Sequence, residues 1–427
     1  MSKSKLFQAP KGMHDILPED QKYWKYIMKK SEPLLEFYGF EKIDTPIVES
    51  ADLFIKSVGE GTDIVEKEMY SFKTKGGDNL ALRPEGTASV VRAYLENGMN
   101  VKPHPVKLYY FGPMFRHDQP QQGRYRQFYQ LGVETIGDSA EIIDAELIFS
   151  AYKLLDSIGL GNYFIHINSI GDSQCRPGYL RALKDYYKNK LKKVCPNCKL
   201  RFKTNILRMI DCKEPECREV AKEIPQFVDF LDEECRAHFK HILEFLDEAK
   251  VPYVLDPTLV RGLDYYTRTV FEFLPEEGDG SQASVLSGGR YDRLVDLLGG
   301  PKTPAAGWAM GIERVVLAMK EKNVNVPSIH PQPKVFLAQI GEAPKRKSLN
   351  LFESFRKAGI ETKSSLGRDS IKSQLRIAHR VGARFTLIFG QKEALDGTII
   401  LKEMETGVQE TIPLEKIVDE VKKRLKS

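Results

Sequence analysis

Two segments, VKLYYFGPMFRHD and RYRQFYQLGVETIG, constrain the fold most, because they read as paired β-strands around a polar loop, 117–124. Antiparallel strands make a flat, rigid floor, and this floor is loaded with polar chemistry. Arg116, His117, Arg124 and Arg126 lie in or beside the loop, and the returning strand presents Gln130 and Glu134. Those two are four residues apart, so strand alternation puts both on one face. Guanidiniums fixed on such a floor can grip phosphate oxygens bidentately. For Arg124 and Arg126 taken alone, a charged hairpin in solvent is an equal reading.

The rest of the chain must be organised around this floor. At 427 residues it exceeds one ordinary core, which predicts two or three domains. No run of 18 apolar residues exists and the first residues lack an apolar signal core, so a cytoplasmic protein without a membrane partner is expected. Six cysteines in so long a chain do not make a disulfide framework, which agrees with a reducing compartment. Charge is uneven. Residues 333–427 carry 19 Lys and Arg against 12 Asp and Glu, a net +7, so the other 332 residues sum to −2 within a total of +5. A basic module on a near-neutral body suits a polyanionic partner, although a solubilising surface explains the charge equally well.

Residues 20–40 read as a helix closing at Gly39, and FEKIDTPIVES as a strand interrupted by Pro46. Residues 66–82 suggest a hairpin turning at Gly76-Gly77-Asp78-Asn79, and Thr87 opens a helix ending near Gly98. A helix at 140–157 and the strand YFIHINSIG follow the floor. Residues 174–250 are helical, charged and cysteine-bearing between strand-rich blocks, which makes them an inserted domain. The main body is thus expected over 1–326, with a proline-rich linker at 327–332. Beyond it, 333–427 alternates strands and helices as a small α/β domain, where Lys372, Arg376 and Arg380 share one helix face.

Four further stretches carry chemistry. In AAGWAMGIERVVLAMK, Gly307, Ala309 and Gly311 alternate along one strand face, leaving it bare for a flat ring, and Arg314 follows. Tight strand–helix packing explains those glycines too, but not the arginine. In LRPEGT, Glu85 and Thr87 precede a helix and suit an ammonium group, unless Thr87 only caps. The third, VRGLDYYTRTVFEF, reads as a strand, yet it bears Arg261, Tyr265 and Tyr266 where aliphatics would suit a merely structural role. Strict alternation sends the two tyrosines to opposite faces, so either a bulge intervenes or one phenol alone touches a ligand. Last, Cys195, Cys198, Cys212 and Cys217 form C-x2-C-x13-C-x4-C. The first pair has zinc-knuckle spacing and four thiolates suit a structural tetrahedral site, but the second pair is looser and unliganded thiols compete. Cys175 and Cys235 read as ordinary thiols. The N-terminal MSKSK looks like the lysine loop of class I synthetases, but no partner histidine motif accompanies it.

Together these motifs resemble the class II aminoacyl-tRNA synthetases, and within them the bacterial histidyl type, along essentially the whole chain. EKIDTPIVES resembles motif 1, FGPMFRHDQPQQGRYRQFYQLGVE motif 2 and AAGWAMGIERVVL motif 3. RGLDYYTRTVFEF and SGGRYDRL are similar to the two signatures peculiar to histidyl enzymes. The resemblance implies an α+β fold: an antiparallel sheet flanked by helices, dimerising partly through motif 1, with a helical insertion and a C-terminal anticodon-binding α/β domain. It also implies ATP-dependent activation of L-histidine to histidyl-adenylate and transfer to the 3′ end of tRNA(His).

Roles follow by the same resemblance. Arg116 would grip the α-phosphate and the histidine carboxylate, Arg314 would hold ATP from the other side, and Arg124 would reach the outer phosphates with Mg2+. Arg261 would stand at the α-phosphate where other class II enzymes rely more on metal. Glu134 and Tyr266 would bracket the imidazole, Glu85, Thr87 and Gln130 would hold the α-ammonium with Tyr265 nearby, and Tyr291 would close the pocket. Two rivals remain: a non-catalytic paralogue serving as regulatory subunit of ATP phosphoribosyltransferase, and a pure RNA-binding module. The first usually lacks the tail domain and the motif arginines, and the second leaves Glu85 and Glu134 without purpose.

Overall fold

The computed structural model describes residues 6–275, 284–328 and 332–426. The chain divides into two compact units, Met1–Pro327 and Ser328–Ser427. Residues 329–331 of the expected linker and the MSKSK stretch lie outside the described residues. Among the described residues, no helix is long and apolar enough to cross a membrane.

The first unit is built on an eight-stranded sheet. Its order is Glu41–Lys42, Val106–Phe115, Gln127–Ile136, Ala305–Gly311, Leu286–Arg290, Thr267–Pro275, Tyr163–Ser169 and Tyr253–Leu255. Interior pairs are antiparallel, and only the two short edge strands pair in parallel. Alternation divides the labour between faces. Tyr109, Leu131, Val133, Phe271, Phe273, Trp308 and Met310 pack into one large core with the helices Gln21–Phe37, Glu141–Ser157 and Ile312–Glu321. The opposite face carries Tyr110, Gln130, Gly132, Glu134 and Gly307. It is covered by the helix Thr87–Glu96 and the insertion. A sheet sealed on one side by apolar packing leaves its other side for polar work.

Three local readings change. The segment FEKIDTPIVES is not one strand: Glu41–Lys42 joins the large sheet, while Val48–Ser50 joins a separate three-stranded sheet. Pro46 lies at the break, where a residue without an N–H cannot continue a ladder. The hairpin near 66–82 is real but shorter, pairing Ser71–Lys73 with Asn79–Leu82, because Ile64–Glu68 winds into a π-helical turn. The expected 174–250 insertion contributes its last helix to the body: Phe239, Ile242 and Leu246 of Glu233–Glu248 are buried in the large core. The remaining short helices, Arg176–Lys188, Pro196–Thr204 and Pro215–Ala221, form the insertion proper.

The second unit is a five-stranded sheet in the order Thr362–Ser364, Val335–Gln339, Phe385–Phe389, Thr398–Glu403, Gln409–Pro413. The first three strands run parallel and the last two antiparallel, covered by the helices Glu342–Lys357, Ile371–Arg380 and Ile417–Lys426. On Ile371–Arg380, Gln374 and Ala378 are buried, while Lys372, Arg376 and Arg380 are exposed.

Candidate active site

A cavity of about 780 Å³ opens on the polar face of the large sheet. Glu85, Thr87, Arg116, Arg124, Gln130, Arg261, Tyr265, Tyr266 and Arg314, which four separate motifs contribute, all line it. Glu134 does not. It is buried immediately behind the wall, where its Oε1 accepts a 2.8 Å hydrogen bond from the Thr87 hydroxyl and its Oε2 accepts from the Tyr291 hydroxyl. Both hydroxyl-bearing residues line the cavity, so Glu134 meets it through them.

At this end the residues are held by backbone and by glycine. The Glu85 carboxylate accepts from the N–H groups of Thr87 (2.8 Å) and Ala88 (2.9 Å), so Glu85 itself caps the 87–96 helix and frees Thr87 for Glu134. Gly307 is bare because a Cβ there would lie 2.2 Å from Glu134 Oε2 and 2.8 Å from the Tyr291 hydroxyl. The strand face therefore makes room for protein side chains at this position. Tyr265 and Tyr266 sit with ring centroids 4.8 Å apart, and Tyr291 lies 5.5 and 6.3 Å from them. Both phenols reach one cavity because neither belongs to the strand, which begins at Thr267. Just beyond, Arg268 has φ +50°, and the pairing with Leu286–Arg290 shifts register. Gln130 Oε1 is buried without a hydrogen-bond partner among the described residues, an acceptor free for a ligand donor.

Burial pushes the Glu134 carboxyl up to about 8, against the hydroxyls of Tyr291 and Thr87, and nearby Glu85 adds to the rise. Folded Glu134 thus keeps its proton to about pH 8, whereas the unfolded chain releases it near the ordinary value of about 4.3. Between these limits the folded state binds more protons. The residue's favourable contribution is fully present below the lower value and is lost as pH rises toward the upper one. Glu134→Gln, which has no proton to lose, should therefore compare better with the unmodified protein in melting temperature at pH 8 than at pH 5. An identical difference at both pH values would contradict this.

The cationic end is built differently. Arg116 donates from Nε to the Pro84 carbonyl (2.8 Å), and its guanidinium lies 5.4 Å from the Phe128 ring centre. Arg124 pairs with Asp118 at 3.0 Å. Arg314 donates to the carbonyls of Gly123 (3.0 Å) and Ser284 (2.7 Å), while its neighbour Glu313 is structural, both oxygens accepting from the Tyr129 N–H at 3.0 Å. Arg261 connects the two ends. Its guanidinium is 5.4 Å from the Tyr266 ring, bonded to the Ser287 hydroxyl at 2.7 Å and ion-paired with Glu272. Burial raises the Glu272 carboxyl, and Arg261 and Arg314 pull it back down.

Several lining residues escape a reading of the sequence. Glu272 reads as one polar position in an alternating strand, and nothing local pairs it with Arg261. Tyr110 is buried, and a Cβ on Gly86 or Gly132 would fall 2.2 or 2.3 Å from its ring carbon Cζ. Those two glycines are the signal, but only the fold shows that they flank one ring. The insertion supplies Arg208, Asp211 and Lys213 to the wall. It is tied to the π-helical turn by Arg208–Asp63 (2.6 Å) and Arg201–Asp63 (3.3 Å). The four insertion cysteines are all buried, with sulfurs within 4.8 Å of one another. In SGGRYDRL, Arg290 is fully buried on Asp144 and Asp292 and organises the fold rather than the cavity.

With this geometry in hand, comparisons with known proteins are specific. The family model described as Histidyl-tRNA synthetase matches residues 12–315, and that described as Anticodon binding domain matches 334–424. A protein named Histidine--tRNA ligase from Dehalococcoides mccartyi is 46% identical over 420 residues, covering 98% of this chain and 100% of the relative. The apo histidyl-tRNA synthetase of S. aureus is similar with a TM-score of 0.80 at 38% identity, covering 98% of this chain and 100% of that one. A Bacillus halodurans protein described as an ATP phosphoribosyltransferase regulatory subunit/histidyl-tRNA synthetase is 24% identical with a TM-score of 0.63, over 91% of this chain and 98% of that one. It shares the fold. The two-unit architecture, the motif-built cavity and whole-length likeness agree: the chain belongs to the histidyl-tRNA synthetase family.

Proposed function

We infer that the cavity joins L-histidine to ATP, forming histidyl-adenylate and pyrophosphate, and then passes the histidyl group to the 3′ end of tRNA(His), releasing AMP. The observation that carries this reading is the convergence of a tyrosine–carboxylate cluster and four arginines on one cavity, bridged by Arg261. A regulatory subunit or a bare RNA-binding module requires no such pairing. The test is histidine-dependent ATP–pyrophosphate exchange followed by charging of tRNA(His). Neither rival predicts exchange.

In the first step the histidine carboxylate attacks the α-phosphorus, an O–P bond forms, and the bond to the leaving pyrophosphate breaks. Negative charge gathers on the phosphoryl oxygens, so prepositioned cations there lower the barrier most. Arg116 and Arg261 take that role, with Arg314 and Arg124 on the rest of the triphosphate. Mg2+ would arrive on the outer phosphates of the nucleotide and neutralise the leaving group. Glu85 and Gln130 receive the α-ammonium, with Thr87 and Tyr265 beside them.

The imidazole is read by Tyr266 on one side and by the Tyr291–Glu134 pair on the other. The Tyr291 hydroxyl donates to Glu134, so its oxygen is free to accept the ring N–H. Glu134 then acts as the anchor of a relay instead of touching the ring itself. Tyr291→Phe should raise the KM for histidine by roughly 10- to 100-fold, the cost of leaving a buried polar partner unpaired, without moving the KM for ATP. An unchanged histidine KM would remove Tyr291 from the reading.

Homodimerisation through the motif 1 region fits the exposure of its apolar residues Ile47 and Val48. Lys372, Arg376 and Arg380, exposed on one helix of the anticodon-binding domain, suit contacts to the tRNA backbone. A reaction on tRNA fits a cytoplasmic protein.

A further inference from the structure

The insertion contains a metal-shaped site attached to the cavity wall. Cys195 is the N-cap of the Pro196–Thr204 helix and its sulfur accepts from the Cys198 N–H at 3.4 Å. The Cys195 N–H in turn donates to the Cys217 sulfur at 3.2 Å, and the Cys195 and Cys212 sulfurs are 3.8 Å apart. A tetrahedron with Zn–S bonds of about 2.3 Å has S···S edges of about 3.8 Å. The donor set is thus four buried thiols at the spacing of one small ion, with N–H groups turned to the sulfurs. No disulfide competes, since all six cysteines are free.

A second group, Asp172, Cys175, Asp232 and Cys235, is equally compact, but its carboxylates have other work. Asp232 caps a helix by accepting from the Cys235 N–H at 2.8 Å. Asp172 accepts from the Gln174 N–H at 2.8 Å and faces Arg268 at 3.6 Å. Helix capping explains this group without an ion.

The residue after Cys212 is Lys213, which lines the same cavity as Arg124 and Arg314. Burial lowers the proton affinity of Arg314, Arg124 and Arg116 add to this, and Glu272 and Asp118 oppose it. Asp118, already paired with Arg124, faces this group, as do Asp211, Glu272, Glu68 and Glu85 along the same cavity. Lys213, Arg124, Arg314 and Arg116 thus line one cavity, where a bound polyanion would meet all four.

We propose that Cys195, Cys198, Cys212 and Cys217 hold one Zn2+, and that the ion fixes Lys213 against the triphosphate of ATP. Zinc binding displaces the thiol protons to solvent and closes the Cys198–Cys212 loop, whose far end carries the lysine. The insertion then takes part in nucleotide binding. This proposal rests on the ligase reading above.

The test uses the full chain. Elemental analysis of the purified protein should find about one zinc per chain, and Cys198→Ser with Cys217→Ser should lose it. In histidine-dependent exchange, Lys213→Ala should keep its zinc yet raise the KM for ATP about tenfold, the weight of one charge-assisted contact, and Lys213→Arg should restore most of it. Calorimetric titration with histidine alone should be unchanged in Lys213→Ala. Removing zinc with a chelator should raise the ATP KM of the unmodified protein similarly and add little to Lys213→Ala, while protease cleavage within residues 195–217 accelerates. Absence of stoichiometric zinc, an iron–sulfur chromophore in its place, two zinc ions per chain, or an unchanged ATP KM in Lys213→Ala would each overturn the proposal. Absence of exchange in the unmodified protein would instead overturn the ligase reading.

Discussion

Arg261→Ala is expected to slow histidyl-adenylate formation by about a thousandfold, the scale set by removing one preorganised donor from a charged transition state. Arg261 offers five N–H donors, of which Glu272 and Ser287 engage two groups, so capacity remains for a phosphoryl oxygen. The pair with Glu272 fixes the guanidinium before substrate arrives, which avoids reorganisation during the reaction. Because the substitution leaves Glu272 partly buried without its partner, some loss of stability is expected as well. Arg261→Lys separates the two effects. It keeps the positive charge beside Glu272 but loses the planar fork, so folding should recover more than the rate does. Single-turnover formation of adenylate, read beside melting temperature, measures both. A variant that folds normally and makes adenylate at full speed would remove Arg261 from the chemistry.

The second large effect is expected at Arg116. Unlike Arg261, it has no carboxylate partner among the described residues; a carbonyl and an aromatic face hold it in place. Glu68 and Glu85 feel its charge without pairing directly with it, so the guanidinium can still turn N–H groups to ligand anions. Arg116→Ala should cost roughly a hundred- to thousandfold in kcat/KM for exchange, with both the ATP and histidine KM values rising, as the proposed span of one guanidinium across the α-phosphate and the amino-acid carboxylate requires. Loss confined to one substrate would show that the bridging role is wrong. Since Glu85 and Glu68 lose a nearby cation but no direct partner, melting temperature should move less than in Arg261→Ala.

The sequence made some of this legible and hid the rest for identifiable reasons. Paired strands 106–115 and 127–136 could be read because alternation and a polar turn are local signals, and Gln130 and Glu134 followed from them. The two tyrosines at 265 and 266 could not be resolved, since the positive φ of Arg268 and the shifted register depend on neighbouring strands. The resemblance implied that Glu134 meets the imidazole, whereas its seat behind Tyr291 and Thr87 required the fold. Gly307 lines the cavity, and its bareness also makes room for Glu134, which the sequence did not reveal. Cysteine spacing announced a possible metal site, whereas the cavity that Lys213 shares with Arg124 and Arg314 arises only when the insertion lies against the body. What was missed are contacts between distant segments, and Arg261–Glu272 is the most consequential of them.

A crystal structure with histidyl-adenylate tests the central claim most directly. The account predicts the adenylate phosphate within about 3 Å of both Arg261 and Arg116, and the imidazole between Tyr266 and the Tyr291 hydroxyl. A phosphate bound away from Arg261, or an imidazole ring turned to solvent, would contradict it.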